Sequence, residues 1–355
     1  MTGTEGHDHA DTRYLDAKAT VDDRALDRRV ADRLREELPP SPTVFDAGCG
    51  TGVTLPRLRE WGVEPAGYRG VDTDAGLVAA ARERHAADTV SFAVGDAVAA
   101  AREAADGSFD PDLAVAGSFL DLVPVGEAVD TLAAAVGPGG LVYAPFTFDG
   151  RTTFAPAHPA DDLVERIYHE TIDAQPGRNV RAGRAAVDHC RRADGQLLAV
   201  GASDWVVRAN DDGYPNDERY FLSCILGFVA DALFVDGGDG EGPTDSAEAE
   251  SVDADPTDRA GGAVADADPT DRAGGTVADA DPTDRAGGTV ADADPTDRAG
   301  GTVADADPTD RAATALTDTD HTAADLRDWL QCRRRQAEAG ELVYTASQFD
   351  VLYRA

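Results

Sequence analysis

Residues 44–58, Val-Phe-Asp-Ala-Gly-Cys-Gly-Thr-Gly-Val-Thr-Leu-Pro-Arg-Leu, constrain the fold more than any other stretch of the chain. An apolar run ends in an acid, glycines follow at 48, 50 and 52, and a helical pattern begins. That order predicts a strand, a sharp turn and a helix. Glycine permits the turn and lets a ligand approach main-chain atoms with no Cβ in the way. A dinucleotide fingerprint would space the third glycine one residue later, and the lysine and hydroxyl of a P-loop are missing. Asp46, two residues before the first glycine, would repel phosphate and attract a ligand that carries an ammonium group.

The chain around this turn alternates strand and helix, the pattern of a parallel sheet with helices on both faces. Strands are predicted at Thr43–Ala47, Tyr68–Asp72, Val90–Val94, Leu113–Gly117, Leu141–Thr147 and Leu197–Val207, and Glu341 to Arg354 alternates as a terminal strand. Seven strands result, in an α/β, Rossmann-like arrangement. One helix is predicted over Val21–Leu38, another over Asp74–His85 with Asp74 as its N-cap, and a third, rich in arginine, over Leu326–Ala337.

Two further acids close the second and third strands. Asp72 follows Gly70-Val71, where a carboxylate can accept from both hydroxyls of a ribose, and Asp96 lies in Gly95-Asp96-Ala97, where it can accept from an adenine amino group. Each acid alone reads equally well as a cap or a turn residue. Together with the glycine turn they resemble the motifs of class I S-adenosylmethionine-dependent methyltransferases, over roughly Pro39 to Thr147. The resemblance implies a mostly parallel seven-stranded sheet with an antiparallel last strand. It also implies S-adenosylmethionine as cofactor, its methionine part held by Asp46, Gly48, Cys49 and Gly50. Asp72 and Thr73 would hold the ribose, Asp96 and Ala97 the adenine, and Ser118 belongs to the fourth-strand motif, Asp112 to Asp121.

A sulfonium is already an activated electrophile, so the protein's task is to align a nucleophile and exclude water. No catalytic residue is assignable from the sequence. The Asn/Asp-Pro-Pro-Tyr/Phe run of nucleic-acid amino methylating enzymes is absent after the fourth strand, as is the Pro-Cys pair of cytosine-C5 enzymes, which leaves a small-molecule methyl acceptor as the default. Candidates for its pocket are Phe119, Asp121, Asp149 and Arg151. Asp121 reads better as a helix cap than as a base, and Thr147–Arg151 as either an Asp-Gly turn or the start of a lid running to His189. Trp205 reads as core, Arg178, Arg181 and Arg184 as surface ion-pair partners, and His169 and His189 as structural. Two rival readings stay open: a non-catalytic protein that binds the cofactor, and a nicotinamide-dependent oxidoreductase.

Composition bears on the setting. The net charge is −35, and of 32 basic residues only Lys18 is a lysine. A dense carboxylate surface stays hydrated where molar salt screens it over roughly 3 Å, the pattern of a halophilic-archaeal protein. Such a surface argues against a nucleic-acid partner. Asp-Ala-Asp-Pro-Thr-Asp-Arg-Ala recurs with its proline at 256, 269, 282, 295 and 308. These repeats offer little to bury, so residues 236–320 read as a disordered acidic insertion within one domain, and residues 1–20 as a disordered leader. The four cysteines are far apart and no histidines stand at metal-ligand spacing, so no metal is expected and the thiols read as reduced. No apolar stretch spans a membrane, and a cytoplasmic location follows. The oligomeric state is not legible.

Overall fold

β1 (Thr43–Ala47) has Val44, Phe45, Asp46 and Ala47 all buried, as a strand covered on both faces must. It is an interior strand of a sheet seen in a computed structural model of the protein, which describes residues 11–234 and 321–355. β2 (Gly67–Asp72) and β3 (Val90–Val94) pair parallel on one side of it. On the other side lie β4 (Leu113–Val115) and β5 (Leu141–Ala155), also parallel. The last strand, β8 (Val343–Arg354), runs antiparallel between β5 and β6 (Gln196–Ala202), and β7 (Trp205–Val207) pairs with its first half. The order is β3-β2-β1-β4-β5-β8-β6.

Helices cover both faces: α1 (Thr12–Ala25), α2 (Arg28–Glu37), α3 (Thr54–Glu60), α4 (Ala75–Arg84), α5 (Ala97–Glu103) and α6 (Val125–Val136), then α7 (Asp161–Asp173), α8 (Ala182–Arg192), α9 (Glu218–Phe234) and α10 (Ala323–Ala339). Two apolar cores sandwich the sheet, one around Phe45, Leu132 and Tyr353, the other around Leu34, Leu58 and Leu352. A third joins α1, α7, α9 and α10 to the far ends of β5 and β8 through Phe154, Phe221, Trp329 and Tyr344. Among the described residues no helix is long and apolar enough to cross a membrane.

Several expectations need correction. The helix predicted over Val21–Leu38 is two helices. Leu26 turns extended, and the Asp27 carboxylate caps α2 while its own N–H donates to Asp350 at 2.9 Å. Residues 12–20 are helical rather than a disordered leader, because Tyr14, Ala17 and Val21 give α1 an apolar face. The sixth strand breaks at Ser203-Asp204, where the Asp204 carboxylate takes the Gln348 N–H at 3.0 Å, so the sheet has eight strands. β5 does not stop at Thr147 but continues to Ala155, irregular after Ala144 and again after Phe148. Residues 1–10 and the repeat insertion, 236–320, lie outside the described residues.

Candidate functional site

The glycine turn adopts the conformation that its composition demands. Gly48, Gly50 and Gly52 have φ of +68°, +51° and +81°, a region closed to most side chains. The N–H groups of Gly48 and Cys49 both donate to the Val71 carbonyl, at 2.9 and 3.1 Å. The Gly50 N–H donates to Asp72 Oδ2 at 2.9 Å, and Asp74 N–H to Asp72 Oδ1 at the same distance. One carboxylate at the end of β2 thereby fixes both the turn and the start of α4, which Asp74 caps as predicted.

Asp72, Thr73, Gly48, Cys49, Gly50 and Thr51 form one end of a cavity of about 620 Å³. Each Asp72 oxygen keeps a lone pair beyond the one engaged by a backbone N–H. Thr51 is 1% exposed, and its hydroxyl has no hydrogen-bond partner among the described residues. A carboxylate with spare acceptors, on the same stretch of wall as a residue whose hydroxyl is unpaired, fits a bound polar ligand such as a ribose. Asp72 and Thr73 therefore suit the ribose of S-adenosylmethionine.

Other predicted cofactor residues stand elsewhere. Asp46 is 1% exposed and off the cavity wall, beneath the turn, where it accepts from the Tyr68 hydroxyl; burial pushes its carboxyl up to about 6. Asp96 is exposed, caps α5 through the Ala99 N–H at 2.8 Å and lies off the wall with Ala97. Ser118, at φ +49°, is on the wall.

The sequence reading missed α1, which contributes Tyr14, Leu15, Lys18 and Asp22 to the wall. The Lys18 ammonium donates to Asp22 at 2.7 Å and to the Ser118 hydroxyl at 2.9 Å, and stands 5.2 Å from the Trp205 ring centroid. Asp22 also accepts from the Trp205 indole N–H at 2.8 Å. Arg84 and Arg57 bind Asp16 and Asp23, tying α1 to α4 and α3. The available signal was Lys18 itself, a single lysine in a chain that otherwise uses arginine.

Of the predicted acceptor residues, Phe119 and Asp121 are on the wall and Asp149 and Arg151 are not. Asp149 pairs with Arg184 at 2.8 Å, and Arg151 is exposed on β5, because the strand continues where a turn was expected. Asp121 does not cap α6, whose N-terminus has no side-chain cap. It sits in a short 3-10 turn, its Oδ1 buried and without a partner among the described residues. Burial raises its carboxyl above the ordinary range, against the pull of Lys18 and Arg178. Trp205 is both buried and on the wall, and Arg178 is on the wall as well. His189 and His169, read as structural, have Asp130 at 2.7 Å and Thr152 Oγ1 at 3.0 Å as partners.

Residues 44–140 match the family model described as a methyltransferase domain. No curated protein matches the chain. Among solved structures it is similar to a chain of the complex formed by the Haloferax volcanii Trm112 methyltransferase activator, at 20% identity, 55% of this chain and 79% of that one, TM-score 0.37. It is also similar to a methyltransferase from Mesorhizobium loti, at 18% identity, 47% and 81% coverage, TM-score 0.33. A third, from Geobacter sulfurreducens and in complex with S-adenosyl-L-homocysteine, has 18% identity, 57% and 71% coverage, TM-score 0.31.

Proposed function

We propose that the protein is an S-adenosylmethionine-dependent methyltransferase acting on a small-molecule acceptor. The observation that carries this reading is Asp72, which locks the glycine turn through Gly50 and faces the cavity with acceptor capacity to spare. The methyltransferase-domain match over residues 44–140 supports it. When bound, the cofactor supplies a methyl group on a positively charged sulfur.

The chain's residues have distinct tasks. Asp72 and Thr51 take the ribose. Gly48, Cys49 and Gly50 present main chain to the methionine part. Asp46 acts from beneath, by holding the turn's strand through Tyr68. α1 closes the cavity against water. Asp121 is the base: the residue is on the wall, its Oδ1 has no partner among the described residues, and a raised carboxyl is better matched to a proton leaving near neutral pH. The acidic surface suits a high-salt cytoplasm, and the repeats, residues 236–320, interrupt one catalytic domain.

Incubation with methyl-labelled S-adenosylmethionine and a small-molecule cell extract tests the assignment. Label in a chromatographed small molecule supports it. Label confined to protein or nucleic acid would overturn the acceptor class.

A further inference from the structure

Away from the glycine turn, the cavity contains a polar group for which the cofactor gives no reason. Past Thr147, β5 and β8 run on together, with Phe148 opposite Gln348 and Thr152 opposite Ala346, and all four residues belong to the cavity wall. Gln348 is 3% exposed. Its backbone is satisfied on both sides, by Asp204 and by the Ser203 N–H at 3.0 Å, yet its side-chain Oε1 has no hydrogen-bond partner among the described residues. A buried polar atom left this way costs on the order of 1–3 kcal/mol, and it is retained where a ligand completes it.

What surrounds the carboxamide defines the ligand. Phe146, Phe148, Tyr168, Trp205 and Tyr344 supply flat apolar walls. Two of the nearby cations are paired, Lys18 with Asp22 at 2.7 Å and Arg57 with Asp23 at 2.7 Å, and Arg178 acts on the Asp121 carboxylate through space. An anionic ligand would compete with Asp22, Asp23 and Asp121 for these cations, and a cationic one would meet Lys18 and Arg178. Thr152, 3% exposed, adds a hydroxyl backed by His169. A carboxamide offers both an acceptor oxygen and N–H donors, and a hydroxyl can answer either.

We infer that this chamber takes an uncharged, ring-bearing acceptor with a hydroxyl group, which the Gln348 carboxamide holds. The inference rests on the methyltransferase reading, in which the cofactor fills the other half of the cavity.

The test uses the full chain saturated with S-adenosylhomocysteine and titrated calorimetrically with 2-naphthol, 2-methoxynaphthalene and 2-naphthoate. The same ring then carries a hydroxyl, no donor, or a charge. 2-Naphthol should bind at least about tenfold tighter than either comparator, since a site built for a hydroxyl rejects the analogue without one. Gln348→Leu should bring 2-naphthol and 2-methoxynaphthalene to within about twofold and leave S-adenosylhomocysteine affinity unchanged. If the leucine variant does not melt cooperatively, Gln348→Met, closer in length, replaces it. Tightest binding by 2-naphthoate, no binding by any probe, or a hydroxyl preference that survives the substitution would overturn the inference. Failure of S-adenosylhomocysteine itself to bind would instead count against the methyltransferase reading, and the same three probes on the free protein would then decide the chamber's preference.

Discussion

The Lys18 ammonium donates to the Ser118 hydroxyl at 2.9 Å, joining the first helix to the loop after β4 across the cavity. Asp22 holds the same ammonium from within α1, and its carboxylate is tied in turn to Trp205. Lys18→Met should weaken this closure. Hydrogen bonds to charged groups contribute roughly 1.5–3 kcal/mol each, and at 12% side-chain exposure little of that is lost to solvent. The variant should unfold at lower urea concentration by an amount in that range, and S-adenosylhomocysteine should bind about tenfold more weakly by calorimetry. Affinity at the wild-type level would show that α1 does not close the site.

Asp121→Asn keeps the shape of the loop and removes the base. Methyl transfer to an acceptor identified by labelling should fall by about 10²- to 10⁴-fold, with S-adenosylhomocysteine affinity within about twofold of wild type. The wild-type rate should rise with pH through a midpoint higher than that of an unperturbed aspartate, because burial raises the Asp121 carboxyl and only its ionised form accepts a proton. A flat profile, or full activity in the variant, would remove Asp121 from the chemistry.

Asp46 gives a stability prediction with a definite sign. Burial raises its carboxyl from 3.8 to about 6, so the folded state holds the proton more tightly than the unfolded state does. Its contribution is complete below about pH 4 and is lost as pH rises through about 6. At about 1.4 kcal/mol per pH unit, the swing is of order 3 kcal/mol. Asp46→Asn still accepts from Tyr68 and does not titrate. Measured by denaturation at pH 4 and pH 7, the variant should gain on wild type by about that swing, and a pH-independent difference would contradict the raised value.

Gly48 tests the turn. It sits at φ +68°, and a Cβ there would meet Phe119 Cδ2 at 2.6 Å. Gly48→Ala combines backbone strain of roughly 1–2 kcal/mol with displacement of a ring on the cavity wall. Both the melting temperature and the affinity for S-adenosylhomocysteine should fall. Loss of neither would mean that the turn tolerates a side chain and that Phe119 is free to move.

Local spacing carried much of this architecture. Val44 to Gly52 specified a strand and a turn whose glycines all need positive φ, and the positions of Asp72 at a strand end and of Asp74 as a helix cap were legible because both depend on near neighbours. Asp46 and Asp96 were harder to read. A carboxylate at a strand end can face a ligand, a buried tyrosine or a helix N-terminus, and only packing decides, here for Tyr68 and for Ala99. The cavity wall away from the glycine turn was mostly illegible. Gln348 and Lys18 lie 330 residues apart and meet the cavity only through tertiary structure. Nor could the apolar run Leu141–Thr147 reveal that β5 continues to Ala155, since Asp149-Gly150 carries the chemistry of a turn and is accommodated as an irregularity, with Gly150 at φ +68°, between the paired Phe148 and Thr152.

The central claim, that the cavity beside the glycine turn holds S-adenosylmethionine, is tested most directly by calorimetric titration of the full chain in molar potassium chloride. S-adenosylhomocysteine and NADH are titrated separately, with Asp72→Ala as the control. The account predicts micromolar binding of S-adenosylhomocysteine alone, weakened in the variant by about 1.5–3 kcal/mol for each charge-assisted hydrogen bond lost. Binding of NADH with silence from S-adenosylhomocysteine would contradict it.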